Sequence, residues 1–555
     1  MGSYTYPRYP YRKPPPPGDA PVPVAIVGAG LVGLTLALDL ALKGVPSVVL
    51  DEDDTVSLGS RSICQARRTL EIWHRLGVAE RVVAKGVTWD TGEVNLRDRP
   101  VYRFDLTPEP GQRFPAFVNL QQYYCEQYLV ERCLEQPLVD LRFRHKVVGV
   151  GRSADRAYVD VETPDGNYAL TAAWLVACDG VRSSVRRALD LPFEGEVFDD
   201  QFLIADIRMR TALPNVRKFW FHPPFHPEHS VLLHRQADDV LRVDFQLGRG
   251  ADPEIEKKPE NIDRRLRAMF GPDAAWDHEW ISLYTFSCRT MRRYVEGRVV
   301  FAGDAAHVVS PFGARGGNGG VADADNLGWK LAAVLRDGAP DSLIGTYGVE
   351  RLAAARENIR QSTRSTDFIA PKFPASRVFR DATLALAHDV PFARALVNSG
   401  RLSRPVAYET SPLNIADTST SWGVAPAPGA SFPDAPLDGN GPTSMIEAVA
   451  GRFAIVVFVE RTGELSPEVA AAIAALDAGS LPVARLLVTR DIDSPDFPGW
   501  TILEDIGNLA FRRCDARRFT TFLVRPDQHV AGRWRRIDPA ALADGLRRLL
   551  AGGPA

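Results

Sequence analysis

Residues Val24–Asp51 constrain this chain more than any other stretch. Val24-Ala25-Ile26-Val27 is a short, wholly apolar run of the kind that forms a buried parallel strand. Gly28-Ala29-Gly30-Leu31-Val32-Gly33 follows at once, then an apolar helix over Leu34–Leu42, then a second strand, Ser47–Leu50, ending in Asp51. The glycines allow a tight turn, approach of a pyrophosphate to the backbone, and close packing of the helix on the sheet. The first helical turn has N–H groups without intrahelical partners and carries about half a positive charge, so it suits a phosphate. Asp51 stands where a carboxylate accepts hydrogen bonds from a ribose 2′-hydroxyl and repels a 2′-phosphate. A lone G-x-G-x-x-G is weak, but strand, helix and spaced acid together make a strong dinucleotide signal.

A second glycine-rich stretch, Arg298–Ala332, reads as another ligand-facing strand–loop–helix. The strand Val299-Val300-Phe301-Ala302 breaks at Gly303-Asp304, and the loop beyond carries Pro311, Gly313, Gly316, Gly317, Gly319 and Gly320. It closes on a helix with Leu327, Leu331 and Val334 at helical spacing. Few Cβ atoms stand between this backbone and a ligand, although a tight connection alone would also use glycines. A third element is the buried strand Trp174–Ala177, which runs into Asp179-Gly180; Arg182, Ser183 and Ser184 then begin a helix that would also welcome an anion. An aspartate in that position is often only a helix cap.

These three elements, in this order and spacing, resemble the group A flavoprotein monooxygenases of the para-hydroxybenzoate hydroxylase fold, over about Val24–Gln361. The resemblance implies an α/β protein: a Rossmann-like FAD-binding domain, an inserted mainly β substrate domain and, as in phenol hydroxylase relatives, a C-terminal thioredoxin-like α/β domain. It implies that Gly28, Gly30, Gly33 and Asp51 hold the AMP half of FAD. Asp179 and Gly180 would lie near the pyrophosphate and help with the nicotinamide cofactor, while Gly303-Asp304 would hold the ribityl chain. Backbone N–H groups at Gly317 and Asn318 would stabilise anionic flavin, and Pro311 would line its ring. Arg61 and Gln121 match residues near the FAD and the flavin side, and Arg242 matches an arginine that meets the mobile ring. Read alone, Arg61 is a solvated loop arginine, Gln121 a cap or a solvent-facing side chain, and Arg242 half of an Arg242–Asp244 pair on a solvated sheet face.

Length and charge set further bounds. With 555 residues the chain has room for three or four domain-sized units. A net charge of −3 offers no electrostatic case for nucleic acid or an acidic membrane surface. The six cysteines show no metal-ligand or redox spacing, which suits a reducing cytoplasm, and no metal is expected. The apolar run Ala20–Leu38 follows Arg8, Arg12 and Lys13 in the manner of a signal peptide, but its glycines and its strand–turn–helix pattern explain it better than a membrane span.

The divisions expected are a disordered or polyproline arm over residues 1–23, FAD-binding segments at 24–195 and 298–402, a substrate sheet at 196–297, a linker at 403–443 and the terminal domain at 444–555. In the substrate segment, Leu241, Val243, Phe245 and Leu247 alternate with Arg242, Asp244 and Gln246, and His234 and Gln236 share the polar face. One polar face on an antiparallel sheet can roof a cavity. The family reaction is NAD(P)H- and O₂-dependent hydroxylation of a phenol through a flavin C4a-hydroperoxide, closest to the 3-(3-hydroxyphenyl)propionate and phenol hydroxylase branch. His234, with an ordinary pKa near 6.5, or a tyrosine would help deprotonate the phenol. Gln236 stands where benzoate-hydroxylating relatives hold a carboxylate-clamping arginine, and Asp244, on the same polar face, is expected with His234 and Gln236 to bind substrate. Alternatives are polyketide tailoring on the same fold, or an FAD-dependent dehydrogenase or reductase without oxygen insertion. A homodimer is possible through the terminal domain, where no CxxC supports redox chemistry.

Overall fold

The computed structural model describes residues 4–15, 20–106, 109–209, 215–248, 250–397, 404–417, 419, 421–439, 441–493 and 497–553. Parts of two expected segments, the polyproline run at residues 16–17 and the linker at 403, 418, 420 and 440, lie outside the described residues.

The first sheet is organised around parallel strands in the order Val299–Phe301, Gly166–Ala177, Val22–Val27, Ser47–Asp51 and Val139–Phe143. Their apolar residues are buried on both faces, as continuous Val/Ile/Leu runs require. Helix Leu31–Leu42 follows the central strand, and helix Gly316–Asp337 follows the Val299–Phe301 edge. Both helices therefore begin at the carboxyl edge of one parallel sheet, where open α/β folds bind ligands. They also lie unusually close: a Cβ on Gly320 would come 2.6 Å from Val32, and one on Gly328 would come 2.0 Å from the Asp39 carboxylate.

The second sheet runs His307–Val308, Trp276–Thr290, Glu194–Met209, Val240–Leu247, Ser230–Arg235, Arg217–Phe221, Thr91–Leu96, Arg99–Asp105. Its last two strands come from well before the 196–297 segment, and Arg217–Phe221 pairs parallel with Thr91–Leu96. The two-residue alternation appears as expected. Leu241, Val243 and Phe245 pack under helix Pro259–Phe270, while His234 lies directly across from Arg242 on the opposite face.

The third sheet has the order Leu437–Asp438, Thr501–Asp505, Val483–Asp491, Phe453–Arg461, Thr521–Val524, Val530–Trp534. Strands 453–461, 483–491 and 501–505 are mutually parallel, and 521–524 and 530–534 return antiparallel. A buried ionic cluster fastens this sheet to the first. Arg525 donates to both Glu350 oxygens, at 2.5 and 2.9 Å, and to both Asp527 oxygens, at 3.0 and 2.5 Å. Lys330 adds a 2.6 Å bond to Glu350, and Arg68 reaches the Asp527 carbonyl at 2.7 Å. Removing one partner of such a pair leaves a buried charge uncompensated, at a cost of about 3–5 kcal/mol. Part of the expected linker joins in: Ser411 bonds Glu350, and Tyr408 stacks on His529 with centroids 4.3 Å apart.

The N-terminal arm, expected to be disordered or polyproline, is described over residues 4–15. They form an extended strap without regular structure, in which tyrosines find aromatic or hydrogen-bonding partners. Tyr4 stacks on Tyr123 with centroids 4.1 Å apart, Tyr9 on Phe143 at 4.5 Å and Tyr11 on His145 at 5.2 Å. Gly59 N–H donates to the Tyr6 hydroxyl at 3.0 Å, and Tyr9 N–H to the Asp54 carbonyl at 2.8 Å. A proline-rich composition reads as unfolded, but tyrosines at this spacing supply large apolar area with few rotatable bonds. Hydrogen exchange should therefore find the Tyr9 amide protected in the native protein; exchange at the rate of an unfolded peptide would place the arm in solvent.

Candidate active site

The expected binding residues converge at the carboxyl edge of the first sheet, and the glycines divide by role. Gly28 has φ +104°, and a Cβ there would lie 2.5 Å from the Cys178 carbonyl; one on Gly33 would lie 2.0 Å from the Gly28 carbonyl. Both are demanded by the fold. Gly30 is different: its backbone is extended, and a Cβ would meet only Glu126 Oε1, at 3.6 Å. The space in front of Gly30 is open, as a pyrophosphate cradle must be.

Asp51 flanks that space. It accepts from Ala29 N–H at 2.6 Å and Asp53 N–H at 2.9 Å, and burial pushes its carboxyl up to about 6 against those two bonds. Glu126, which the sequence did not single out, is buried nearby and accepts from Ser57 N–H at 2.7 Å and Gln122 Nε2 at 2.8 Å. It adds a second carboxylate within electrostatic reach of Asp51, and the only sequence signal for it was the helical spacing Gln122–Glu126.

Asp179 does cap the next helix, accepting from Ser184 Oγ at 3.0 Å and Val185 N–H at 3.1 Å through one oxygen. Its other oxygen is buried without a hydrogen-bond partner. The helix is only Ser184–Ala188, with its first turn already served by Ser183 and Asp179, so the expectation of an anion site there is corrected. Gly180, at φ +74°, has open space where a side chain would stand.

On the second glycine stretch, Asp304 is exposed and makes no hydrogen bond or ion pair among the described residues. Loss of hydration raises its pKa, with Asp323 acting the same way and His307 and Arg61 opposing. Behind it, Asp323 accepts from Gly303 N–H at 2.9 Å, His307 Nε2 at 2.7 Å and Arg351 Nε at 2.5 Å, which fixes the turn. Gly303 itself needs its small size, since a Cβ would lie 2.8 Å from Val32. Pro311 is exposed at the head of the loop. The N–H groups of Gly317 and Asn318 lie in the first turn of helix Gly316–Asp337, where they meet no acceptor among the described residues. The Asn318 side chain is engaged: it accepts from Ala66 N–H at 2.9 Å and Thr69 Oγ1 at 2.6 Å and donates to the Cys64 and Ala314 carbonyls. It builds the helix N-terminus into the protein.

The roof is the polar face of the second sheet. Arg242 is buried and makes two 2.8 Å bonds to Asp206, with a further bond to the Ser60 carbonyl. Neither a solvated face nor an Arg242–Asp244 pair is found; the partner is the residue directly across on the neighbouring strand. Gln236 is fully buried, with Nε2 3.4 Å from Asp206 Oδ1 and its own oxygen unpartnered. Gln121 is likewise buried, donating to the Ala237 carbonyl at 3.0 Å rather than capping or facing solvent. Arg61 is exposed, close enough to Tyr284 and Asp304 to oppose the rise that burial imposes on both pKa values.

The ordinary pKa expected of His234 is corrected. Burial, with the Arg217 and Arg242 charges adding, holds the imidazole well below its usual value, so it is neutral and a weak base. Asp244 Oδ2 lies 3.8 Å from His234 Nε2, and burial pushes that carboxyl up to about 7, against Arg242 and Arg217.

An open glycine cradle, acceptors beside it, an unpartnered carboxylate on the second loop and a free helix N-terminus fit an FAD. When bound, FAD supplies the redox and oxygen chemistry, and the chain supplies binding, orientation and exclusion of water. Gly28 and Gly33 substitutions should damage the fold, whereas Gly30→Val should fold and lose the cofactor. Circular dichroism and flavin content check this; a yellow Gly30→Val protein would contradict the cradle.

The family described as FAD binding domain matches residues 21–362. The chain is 32% identical over 413 residues to a protein of Paraburkholderia xenovorans (strain LB400) named 3-(3-hydroxy-phenyl)propionate/3-hydroxycinnamic acid hydroxylase, with 72% of this chain and 64% of that one covered. It thus spans a little under two thirds of that relative's length. It is 31% identical over 434 residues to 6-methylpretetramide 4-monooxygenase of Streptomyces rimosus, with 74% of each chain covered. Aklavinone-11 hydroxylase, solved in a ternary complex with FAD and aklavinone, superposes with a TM-score of 0.76 at 26% identity, over 96% of this chain and 99% of that one. Flavin-dependent monooxygenase PieE, at TM-score 0.78 and 23% identity over 97% of this chain and 100% of that one, is alike in fold. The chain belongs to the FAD-binding-domain family of flavin-dependent aromatic monooxygenases.

Proposed function

We propose that the protein uses NADH or NADPH and O₂ to insert one hydroxyl into a phenolic ring. The observation that carries this reading is a cavity of about 100 Å³ between the polar sheet face and the loop that leads into helix Gly316–Asp337. Phe104, Phe219, Phe221, Phe312, Val94 and Leu232 line it, so a flat ring is received by aromatic and aliphatic walls. Helix Ser342–Ile369 contributes Ser365 and Ile369, which helps keep water out.

In this reading Asp51, Asp179 and Asp304 bind FAD, and the N–H groups of Gly317 and Asn318 face the flavin's electron-rich edge. Arg242, locked on Asp206, is a fixed charge that ties the roof to the Ser60–Arg61 loop. Asp244, opposite Leu232 in the sheet register, is better placed than His234 to take the phenol proton, because a base works best with a pKa near the working pH. The order and directions of the third sheet support reading residues 444–555 as a thioredoxin-like unit without redox cysteines, which serves packing.

The names of the relatives support two ring classes, small phenols and polycyclic polyketides. Assays with ¹⁸O₂ across both should give product carrying one labelled oxygen and stoichiometric NAD(P)H consumption. Unlabelled product would mean a dehydrogenase or reductase. Because the base must lose its proton to act, turnover should rise as pH passes about 7, and Asp244→Asn should abolish that limb. A limb that survives the substitution would remove Asp244 from the role.

A further inference from the structure

One charged group in the cavity has no hydrogen-bonding or ion-pair partner among the described residues. Arg217 opens the strand Arg217–Phe221 and lines the same space as Phe219, Phe221 and Phe312. Among the described residues it makes no hydrogen bond or ion pair; its guanidinium lies 5.3 Å from the centroid of the Trp89 ring. Neighbouring cations are served differently. Lys218, the next residue, and Arg103 both pair with Glu93, and Arg242 pairs with Asp206. Arg315 lines the cavity as well, bringing a second guanidinium to it.

A cation kept in a partly desolvated, aromatic-walled space costs stability unless something compensates it. Stacking on Trp89 returns about 0.5–1 kcal/mol, well short of the bidentate hydrogen bonding a guanidinium can make. The charge is felt by its surroundings, since burial lowers the Arg217 pKa, with Cys64 and Asp244 opposing. Glu93, the acid that lines the cavity, is paired with Arg103 and Lys218, and Asp244, whose charge Arg217 feels, has its carboxyl pushed up to about 7 and is a poor counter-charge. Gln236 cannot play the receptor, being fully buried against Asp206.

We infer that the substrate is an aromatic compound bearing an anionic oxygen, a carboxylate or an ionised enol, which Arg217 receives while the ring lies among the phenylalanines. This rests on the hydroxylase reading above and names its substrate class; Arg217 is a specificity-determining residue.

The test is calorimetric binding to the full-length, FAD-loaded protein with two charge-matched pairs of ligands. The first is 3-phenylpropionate against 3-phenylpropanamide, and the second is 2-hydroxy-1,4-naphthoquinone, ionised at neutral pH, against its methyl ether. Neither pair requires turnover. Wild type should bind the anion of at least one pair about tenfold or more tighter than its neutral mate, as hydrogen bonds to a charged group require. The pair that shows the difference identifies carboxylate or enolate. Arg217→Gln should erase the difference with flavin content and melting temperature unchanged, and Arg217→Lys should retain part of it. If Arg217→Gln does not hold FAD, the graded loss in Arg217→Lys decides. Equal binding within both pairs, or discrimination untouched by either substitution, overturns the inference. Discrimination without hydroxylation of any phenol would overturn the hydroxylase reading and leave the anion site standing; hydroxylation without discrimination would do the reverse.

Discussion

The close parallel contact of two helices, Leu31–Leu42 and Gly316–Asp337, is the constraint on which the molecule depends. Gly320 and Gly328 let the second helix settle against Val32 and Asp39, with no room for a single Cβ. Because each helix follows a parallel strand of one sheet, their positive ends emerge side by side. One long, anionic, planar ligand can then span both. Asp39, buried at the contact, is compensated by Lys43 at 2.6 Å and Arg75 at 2.7 Å; despite burial, these two cations keep its carboxyl below its usual value. Arg75 also bonds Asp325 at 2.8 Å, and Arg68 joins Asp325 to the Arg525-Asp527 turn. The ionic cluster that holds the C-terminal sheet is therefore continuous with the packing that shapes the cofactor site.

What could be read from the sequence follows from how local its signals are. The glycines at 28, 30, 33, 303 and 320 were legible as parts of local strand–loop–helix motifs, although the close approaches of Gly28 to Cys178 and of Gly303 and Gly320 to Val32 are tertiary. The alternation on Val240–Leu247 assigned Arg242 and Asp244 to one face, because a pleated strand has a fixed period. The partner of Arg242 was not legible. Asp206 lies on a strand 36 residues earlier, and cross-strand register depends on pairing that a period of two does not encode. His234 failed for a related reason: an ordinary pKa assumes water, and burial beside two guanidinium groups removes it.

The N-terminal strap and Arg217 were missed because composition is a poor guide where a few aromatic contacts decide. The prolines of the arm suggest a chain without a core, yet its tyrosines borrow aromatic surface from the folded domain. Arg217 sits in RKFWF, which carries no glycine or acid to mark a site; its meaning comes only from the cavity it faces and the partner it lacks. Across the roof, polar groups that bond one another fix the architecture, as Arg242, Asp206 and Gln236 do. Groups left without hydrogen-bonding partners among the described residues, such as Asp304 and Arg217, are the ones that point to ligands.

The account's central claim is that the two glycine elements grip one dinucleotide, and Asp304 tests it most directly. Among the described residues the carboxylate has no structural partner to lose, so its removal should leave the fold intact while taking a charged acceptor from the cofactor. Equilibrium FAD binding to Asp304→Ala, followed by flavin fluorescence, should show affinity reduced about ten- to a hundred-fold, the span expected for a hydrogen bond to a charged group. Binding as tight as wild type in a protein of unchanged melting temperature would contradict the claim.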